Sequence, residues 1–437
     1  MRAYRVGVAG SLAPTLHPAT GEIIFSRPDR PSIAVLPFTN MSDDPEQDYF
    51  ADGMVEDIIT ELSRFRRLFV IARNTSFTYK GHSVDVKKVA QELGVHFVLE
   101  GSVRRAGNRV RISAQLINGE TGQHVWAERY EDVVSDVFEL QERITRQVVG
   151  SMVVEIETEE MRLQERGLRR YSDADDIAWR ALKAFSDSVS QGLPALATQA
   201  IELAEKAIEK SRACLLAWFV LSGSNIYRLF MTWTQDHVVA LAEARRAADM
   251  LMQLAPNDSR SCFQRAMVER TAGDFAASTA NLRRAHALNP NDAIVLFFLA
   301  QAEASDGNVE SAKSLATLAL RMSPRDQWVG TAHLARAMCA FIEQDLQTLR
   351  DETALAIQTQ PNQPMRRVLM IAYAAQAGDV ALLRTQTEKM QSLAPNFISG
   401  VLRGDFRFFH RPEHMQMLLD SLRKAGLEKL GAADPHR

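Results

Sequence analysis

The sequence predicts a small α/β domain of about five strands with packed helices, followed by a longer all-α superhelix of paired helices. Short apolar, β-branched runs alternate with helical stretches between residues 32 and 133, whereas the chain from residue 172 onward is Ala-rich and helical in pattern throughout. Prolines recur in that second part at a nearly constant spacing. A chain of 437 residues is long enough for two or three domains.

The α/β domain is assigned to residues 32–133 from the order of its periodic segments. Apolar runs and alternation predict strands, and apolar residues three and four apart predict helices. Gly94 should end the second helix in the left-handed conformation, and Gly107-Asn108 should form a hairpin turn. The predicted elements are strand 32–38, helix 49–65, strand 68–71, helix 84–93 and strands 96–103, 110–116 and 124–130.

The flanking segments carry weaker signals. Residues 134–171 are predicted to be a connecting helix, because apolar residues repeat every four positions from Leu140 to Ile156. Its second half is strongly charged, which favours a solvated connector. Residues 1–31, rich in Pro, Gly and Ser, are predicted to be a linker or the remnant of a preceding domain, and 428–437 a tail.

The second part, 172–427, contains a repeat. Its prolines are spaced by 34, 34, 37 and 34 residues, at Pro256, Pro290, Pro324, Pro361 and Pro395. Gly273, Gly307 and Gly378 each follow such a proline by seventeen residues, where a helix must turn back. In the 37-residue unit the turn falls at Gln344-Asp345, so the insertion is assigned to the first helix or its turn. Small residues expected at close helix contacts are Ala266, Ala285, Ala300, Ala312 and Ala319.

This spacing resembles the tetratricopeptide repeat, a helix-turn-helix unit of 34 residues. Further pairs are expected at 173–212 and 214–256, giving about six, with a capping helix at 406–427. The resemblance implies a curved superhelix whose concave groove binds a peptide or a partner protein. The alternative is that the array only dimerises the protein or spaces its domains.

Several motifs of the first part resemble a TolB-like amino-terminal domain, over about residues 32–131. They are IAVLPF at 33–38, DGM at 52–54, IARNTSFTYKG at 71–81, AQELGV at 90–95 and VLEGSV at 98–103. Bacterial regulators place this domain between an output module and a tetratricopeptide array, and class III adenylate/guanylate cyclase-like proteins are one such group. Arg2–Val6 look like the last strand of a cyclase domain, whose catalytic residues have no counterpart here, so the catalytic domain is expected to be absent.

Composition and motifs argue against several functions. A net charge of −3 and a pI near 6.4 disfavour nucleic acid, and the sequence has no apolar stretch that would span a membrane. Three cysteines far apart predict buried, reduced thiols and a cytoplasmic protein. Neither a phosphate loop nor a dinucleotide fingerprint, zinc-protease or nucleophile-elbow motif occurs, so we expect no enzyme, no cofactor and no metal.

Two clusters are candidates for chemistry. Asp43, Asp44, Asp48 and Asp52 could hold a metal or do acid/base work, although capping of the first helix is favoured. The segment 73–81 follows a strand end, where ligand crevices form in α/β sheets. Its candidate ligand contacts are Arg73, Asn74, Ser76, Tyr79 and Lys80, which could bind an anion such as a nucleotide or a peptide carboxylate. Pinning of the loop by side-chain to backbone hydrogen bonds is the favoured alternative.

Together these patterns predict a non-enzymatic bacterial regulatory or scaffold protein. Its repeat groove would bind a protein partner or peptide, and the chain could also form a homo-oligomer. Its α/β domain would be an accessory or signal-transmitting module. The alternative is the sensory part of an adenylate/guanylate cyclase-like signalling protein that binds a small ligand such as a nucleotide.

Overall fold

The computed structural model describes residues 15–16, 23–24, 28, 30–42, 44, 47–82, 84–133, 137–168, 171–324 and 326–427. The chain divides into two compact units, Met1–Asp175 and Asp176–Arg437. Asp43, Arg2–Val6 and the tail 428–437, all of which entered the sequence predictions, lie outside the described residues.

A mixed sheet is the centre of the first unit. Its order is β5-β3-β6-β7-β8, with the short β4 beside the far end of β6. β3, β4 and β5 run parallel to their neighbours, whereas β6, β7 and β8 form an antiparallel meander. The strands are β3 Ser32–Val35, β4 Thr39–Asn40, β5 Phe69–Val70, β6 Phe97–Ala106, β7 Arg109–Asn118 and β8 His124–Val133.

Two further strands were not predicted. β1 Thr15–Leu16 and β2 Ile23–Ile24 form a small antiparallel pair inside the segment assigned to a linker. β4 is also additional, which raises the predicted count of about five strands to six in the main sheet. Strands of two residues are too short to show an alternating pattern in sequence.

Helices cover both faces of this sheet. They are α1 Gln47–Leu62, the short α2 Arg73–Ser76, α3 Val86–Leu93 and α4 Val137–Glu165. Because side chains alternate along a strand, Ile33 and Val35 pack in the cluster with α1 and α4, whereas Ala34 and Leu36 pack with α3. Gly94 ends α3 with φ 62°, the left-handed conformation predicted for it.

Helix α4 belongs to this core and is more than a connector. Leu140, Ile144, Val148 and Met152 are buried in the same cluster as the inner strands. The charged second half is also anchored, since buried Glu160 accepts a hydrogen bond from the Tyr171 hydroxyl at 2.6 Å. The apolar first half of the segment predicted as a connecting helix, 134–171, therefore packs on the sheet, because its apolar residues recur on one face of the helix.

The second unit is a stack of six antiparallel helix pairs, as the tetratricopeptide pattern predicts. We call the first helix of each pair its A helix and the second its B helix. The A helices are α5 Asp173–Gln191, α7 Leu215–Phe230, α9 Ser259–Thr271, α11 Ala293–Ser305, α13 Val329–Glu343 and α15 Pro364–Ala377. The B helices are α6 Pro194–Lys210, α8 His237–Leu254, α10 Phe275–Leu288, α12 Val309–Met322, α14 Leu346–Thr359 and α16 Val380–Leu393.

Small residues and left-handed turns fit the pairs together. The five alanines predicted at close contacts are fully buried. The turn residues Gly273, Gly307 and Gly378 have φ values of 88°, 77° and 70°, and Gln344 takes the same conformation at 59°. Such turns let consecutive helices reverse within two or three residues.

The three extra residues of the 37-residue unit lie elsewhere than expected. α13 begins five residues after Pro324, whereas α15 begins three residues after Pro361. α13 is also one residue longer than α15. Most of the insertion therefore precedes the first helix, where a loop accepts added length at little cost.

Two more helices complete the unit, α17 Phe397–Arg403 and α18 Pro412–Lys424. α18 lies within the capping helix predicted at 406–427. None of the described helices is long and apolar enough to cross a bilayer.

Candidate functional site

The segment with the predicted ligand contacts follows β5 at the edge where the parallel strands end. It forms α2 and a 3₁₀ turn, Phe77–Tyr79. The first turn of α1 comes from the same edge, because it follows β3 and β4. The acidic residues of α1 and the basic residues of this segment are thus brought together, an arrangement that the sequence analysis did not predict.

Ion pairs hold this segment to the neighbouring helices. Arg73 Nε lies 3.2 Å from Glu56 Oε2, and Lys80 Nζ lies 2.6 Å from Asp52 Oδ2. The Tyr79 hydroxyl donates to Glu92 Oε2 at 2.7 Å. Within the segment the Thr78 hydroxyl also donates to the Thr75 carbonyl at 2.7 Å. Side-chain to backbone and side-chain to side-chain contacts therefore hold the loop together.

The remaining candidate contacts differ in exposure. Asn74 is exposed, whereas Ser76 is fully buried and its Oγ has no hydrogen-bond partner among the described residues. Burial and the hydrogen bond to Glu92 raise the pKa of Tyr79, so its hydroxyl stays protonated. An anion at this segment would have to compete with Asp52 for Lys80 and with Glu56 for Arg73.

The acidic residues at the start of α1 form contacts with their close neighbours in the chain. Asn40 Nδ2 donates to Asp48 Oδ1 at 2.8 Å and to the backbone carbonyl of Asp44 at 2.9 Å. Asp48 lies in the first turn of α1, where a negative charge is favourable. Across the described ranges, no group of three or more His, Cys, Asp or Glu side chains is arranged to hold a metal ion.

The A-helix face of the array, the predicted partner groove, is largely buried. In α11 every residue except Ile294 and Phe298 is buried, including the polar Gln301 and Glu303. The B helices differ, since α16 buries only Gln386 and Met390. A helix that is apolar on all sides is a core helix rather than the floor of an open groove.

The chain's own carboxy-terminal segment, residues 404–427, covers part of that face. The backbone N–H of His410 donates to the Ser305 carbonyl at 2.9 Å, and its ring Nδ1 lies 2.8 Å from Asp306 Oδ1. Arg411 Nε donates to the Asp306 carbonyl at 2.6 Å. These contacts cap the carboxyl end of α11, about a hundred residues earlier in the chain.

Aromatic side chains of this segment pack on the array. Phe409 stacks on Phe341 of α13 at 5.7 Å between ring centroids, and His410 stacks on Phe275 at 5.5 Å. Phe408 and Phe409 are 0% and 1% exposed. The segment therefore covers the A-helix face at the carboxyl ends of α11 and α13, where part of the concave groove implied by the resemblance would lie.

Early and late pairs also meet. The Tyr227 hydroxyl of α7 accepts a hydrogen bond from Gln363 Nε2 at 3.0 Å, and Asn362 Nδ2 donates to the Gln191 carbonyl of α5 at 3.1 Å. Phe230 packs edge-on against Phe397. The array winds tightly enough for its first two pairs to contact its last, which further closes the A-helix face.

The three cysteines are free and buried, as predicted. Burial raises the pKa of Cys339 to about 12 and also raises the pKa of Cys262. Thiols in such surroundings stay protonated and unreactive.

Comparison with known proteins finds similarity in the first unit. Residues 29–147 match the model of the HilA/YgeH-like transcriptional regulator, second domain. A protein of Rhizobium meliloti (strain 1021), named "Putative adenylate cyclase 3", is 60% identical over 141 residues, which are 32% of this chain and 24% of that protein. The match thus spans about a quarter of the relative's length.

Solved structures of repeat proteins resemble larger parts of the chain at low identity. TTC0263, a tetratricopeptide protein of Thermus thermophilus, aligns with 44% of this chain and 98% of its own at 20% identity and a TM-score of 0.34. The Cut9-Hcn1 heterotetramer of the APC/C aligns with 69% of this chain and 54% of its own at 11% identity and a TM-score of 0.43. The repeat assignment itself depends on the helix pairs, turns and small residues described above.

Proposed function

We propose that this chain is a non-enzymatic regulatory or scaffold protein that binds a protein partner through its helical repeats. The observation that carries the proposal is the stack of six helix pairs whose B helices are exposed along their outer faces. Repeat stacks of this kind present extended surfaces suited to protein recognition. Because the A helices are largely buried and part of their face is covered, we propose that the partner binds the outer, B-helix surface.

Exposed apolar side chains on this surface are suitable probes. Val238 on α8 and Val380 on α16 are 80% and 75% exposed, and Leu355 on α14 is also exposed. An aspartate at such a position removes apolar contact area and adds a charge that binding would desolvate. It should leave the fold intact, since surface substitutions change stability little.

The test is affinity capture with the full chain, comparing the wild type with Val238→Asp, Leu355→Asp and Val380→Asp. Phe138→Asp, at an equally exposed apolar residue of the first unit, is the matched control. The proposal predicts a protein that copurifies reproducibly with the wild type and Phe138→Asp and is lost with at least one repeat variant. Loss with Phe138→Asp alone would refute it.

The α/β unit is proposed to be an accessory or signal-transmitting module. The resemblance of its motifs to a TolB-like domain and the match to the second domain of a transcriptional regulator support a regulatory setting. The division into 32–133, 134–171 and 172–427 stays a prediction, as do a cytoplasmic location and any self-association. Light scattering of the purified chain would test self-association.

A second candidate is the sensory part of a cyclase-like signalling protein. The 60% identity to the Rhizobium protein favours it. The ligand would be an anion such as a nucleotide, contacting Arg73, Asn74, Ser76, Tyr79 and Lys80. In that case ATP or GTP should bind with measurable heat, and Lys80→Gln should weaken binding about tenfold, the effect of one hydrogen bond to a charged group. Lys88→Gln on α3 is the control, and equal effects of the two changes would exclude this site.

A further inference from the structure

Two adjacent arginines lie buried at the start of α15. Arg366 and Arg367 are 3% and 6% exposed and are the third and fourth residues of the helix. Neither guanidinium forms an ion pair with a carboxylate of the described residues. Buried charges are normally paired, because desolvation of an uncompensated ion is costly.

The groups that contact these arginines are neutral. Arg366 donates to the Ala356 carbonyl at 2.6 Å and to Gln360 Oε1. Arg367 donates to Gln386 Oε1 and to the Pro361 carbonyl, both at 2.8 Å. Desolvation lowers the pKa of both guanidinium groups, which is the electrostatic consequence of this burial.

Helix ends do not balance the charge. The Ala356 carbonyl belongs to the last turn of α14, and a helix carboxyl end is equivalent to about half a negative charge. The amino end of α15 contributes a positive partial charge of similar size, so the two ends roughly cancel. About two positive charges remain uncompensated.

Two side-chain donors among these residues have no partner in the described part of the chain. Arg367 Nε and Gln360 Nε2 are buried and have no hydrogen-bond partner among the described residues. Gln360 is 7% exposed, and its amide oxygen already contacts Arg366. α15 has no side-chain cap at Gln363, and its first residue, Pro364, has no backbone N–H. The first backbone N–H groups available at this helix end are therefore those of Met365 and Arg366.

We propose that the amino end of α15, with Arg366, Arg367 and Gln360, is a binding site for a doubly charged oxyanion of the phosphate class. The two guanidinium charges match a dianion. The backbone N–H groups and the unused donors exceed what one carboxylate accepts but suit a tetrahedral oxyanion. Pro361 is exposed and its carbonyl contacts Arg367, so the anion would enter beside this loop.

The test is calorimetric titration of the full chain with inorganic phosphate, with thermal unfolding in phosphate and in chloride at equal ionic strength. The wild type should bind phosphate at millimolar or lower concentration and unfold at a higher temperature in phosphate. Arg367→Met, which keeps the aliphatic stem, should weaken phosphate binding about tenfold or more. Arg384→Met, at a largely exposed arginine of α16, should bind as the wild type does.

A conservative variant shows whether weaker phosphate binding results from misfolding or from the loss of the guanidinium donors. Arg367→Lys keeps the charge but loses the forked donor geometry, so it should retain the fold and bind phosphate more weakly than the wild type. O-phosphoserine in place of phosphate separates a free anion from a phosphorylated side chain, and binding of either supports the site. Absence of phosphate and phosphoserine binding would overturn the proposal. So would binding that Arg367→Met leaves unchanged, or an equal response to acetate.

Discussion

Phe409→Ala tests whether the carboxy-terminal segment is part of the array. The side chain is 1% exposed, stacks on Phe341 and lies in an extensive apolar cluster of the second unit. Truncation of a buried phenylalanine costs about 3–5 kcal/mol from lost transfer energy and the cavity left behind. That is a large fraction of the about 5–15 kcal/mol that stabilises a typical domain.

Urea denaturation followed by far-ultraviolet circular dichroism would measure this loss. Phe138→Ala is the matched control, because this phenylalanine is 82% exposed and a surface substitution changes stability by about 0.5 kcal/mol or less. A loss below about 1 kcal/mol for Phe409→Ala would refute the packing of the segment on the A helices.

Three further predictions concern turns, pH and thiols. Gln344→Gly should stabilise the chain by about 0.5–1 kcal/mol by relieving a left-handed non-glycine residue, and Gly378→Gln should destabilise it similarly, both measured by thermal unfolding. Burial raises the pKa of Glu303, but hydrogen bonds from Arg283 at 2.8 and 2.9 Å outweigh it and hold that pKa below its ordinary value. This stabilisation is complete above the ordinary carboxyl pKa and is lost as pH falls through the folded value. The Arg283→Met variant should therefore be less stable than the wild type at neutral pH, and the difference in the free energy of unfolding should disappear in acid. A difference that persists in acid would contradict this prediction. Cys339 should resist thiol reagents at mildly alkaline pH until denaturant is added, because its pKa is about 12; rapid labelling of the native chain would contradict its burial.

Local patterns were enough to predict the longer elements and their order, but not the two-residue strands β1, β2 and β4. The alternation from Val110 to Leu116 and the glycine at position 94 are properties of neighbouring residues, and both predictions are confirmed. The proline spacing likewise predicted four of the six helix pairs, and the helical pattern of 173–212 and 214–256 predicted the other two. Strand register and tertiary contacts could not be predicted in this way, because they depend on residues far apart in the chain.

The closed A-helix face could not be read from local periodicity. The aromatic run from Phe406 to Phe409 was assigned to a capping helix, and its contacts with Ser305 and Phe341 join distant parts of the chain. Arg366-Arg367 looks like an exposed pair in sequence, since arginines are mostly exposed. Only tertiary packing buries them without a carboxylate.

The ligand contacts predicted for the α/β unit are only partly assembled. Arg73, Tyr79 and Lys80 lie at one sheet edge, as a strand-end position predicts, but acidic residues of α1 and α3 already pair with them. The sequence analysis considered Asp52 only with the other aspartates. Its contact with Lys80 depends on the parallel order of β3 and β5, which no local pattern specifies.

Hydrogen exchange of the full chain tests most directly the claim that the carboxy-terminal segment packs on the A helices of the array. Backbone amides in α11 and in residues 415–422 should exchange slowly and at similar rates, because both lie in one packed cluster. Exchange of 404–427 at the rate of an unfolded peptide, with fast exchange at the carboxyl end of α11, would contradict the claim and restore an open A-helix groove as the partner site.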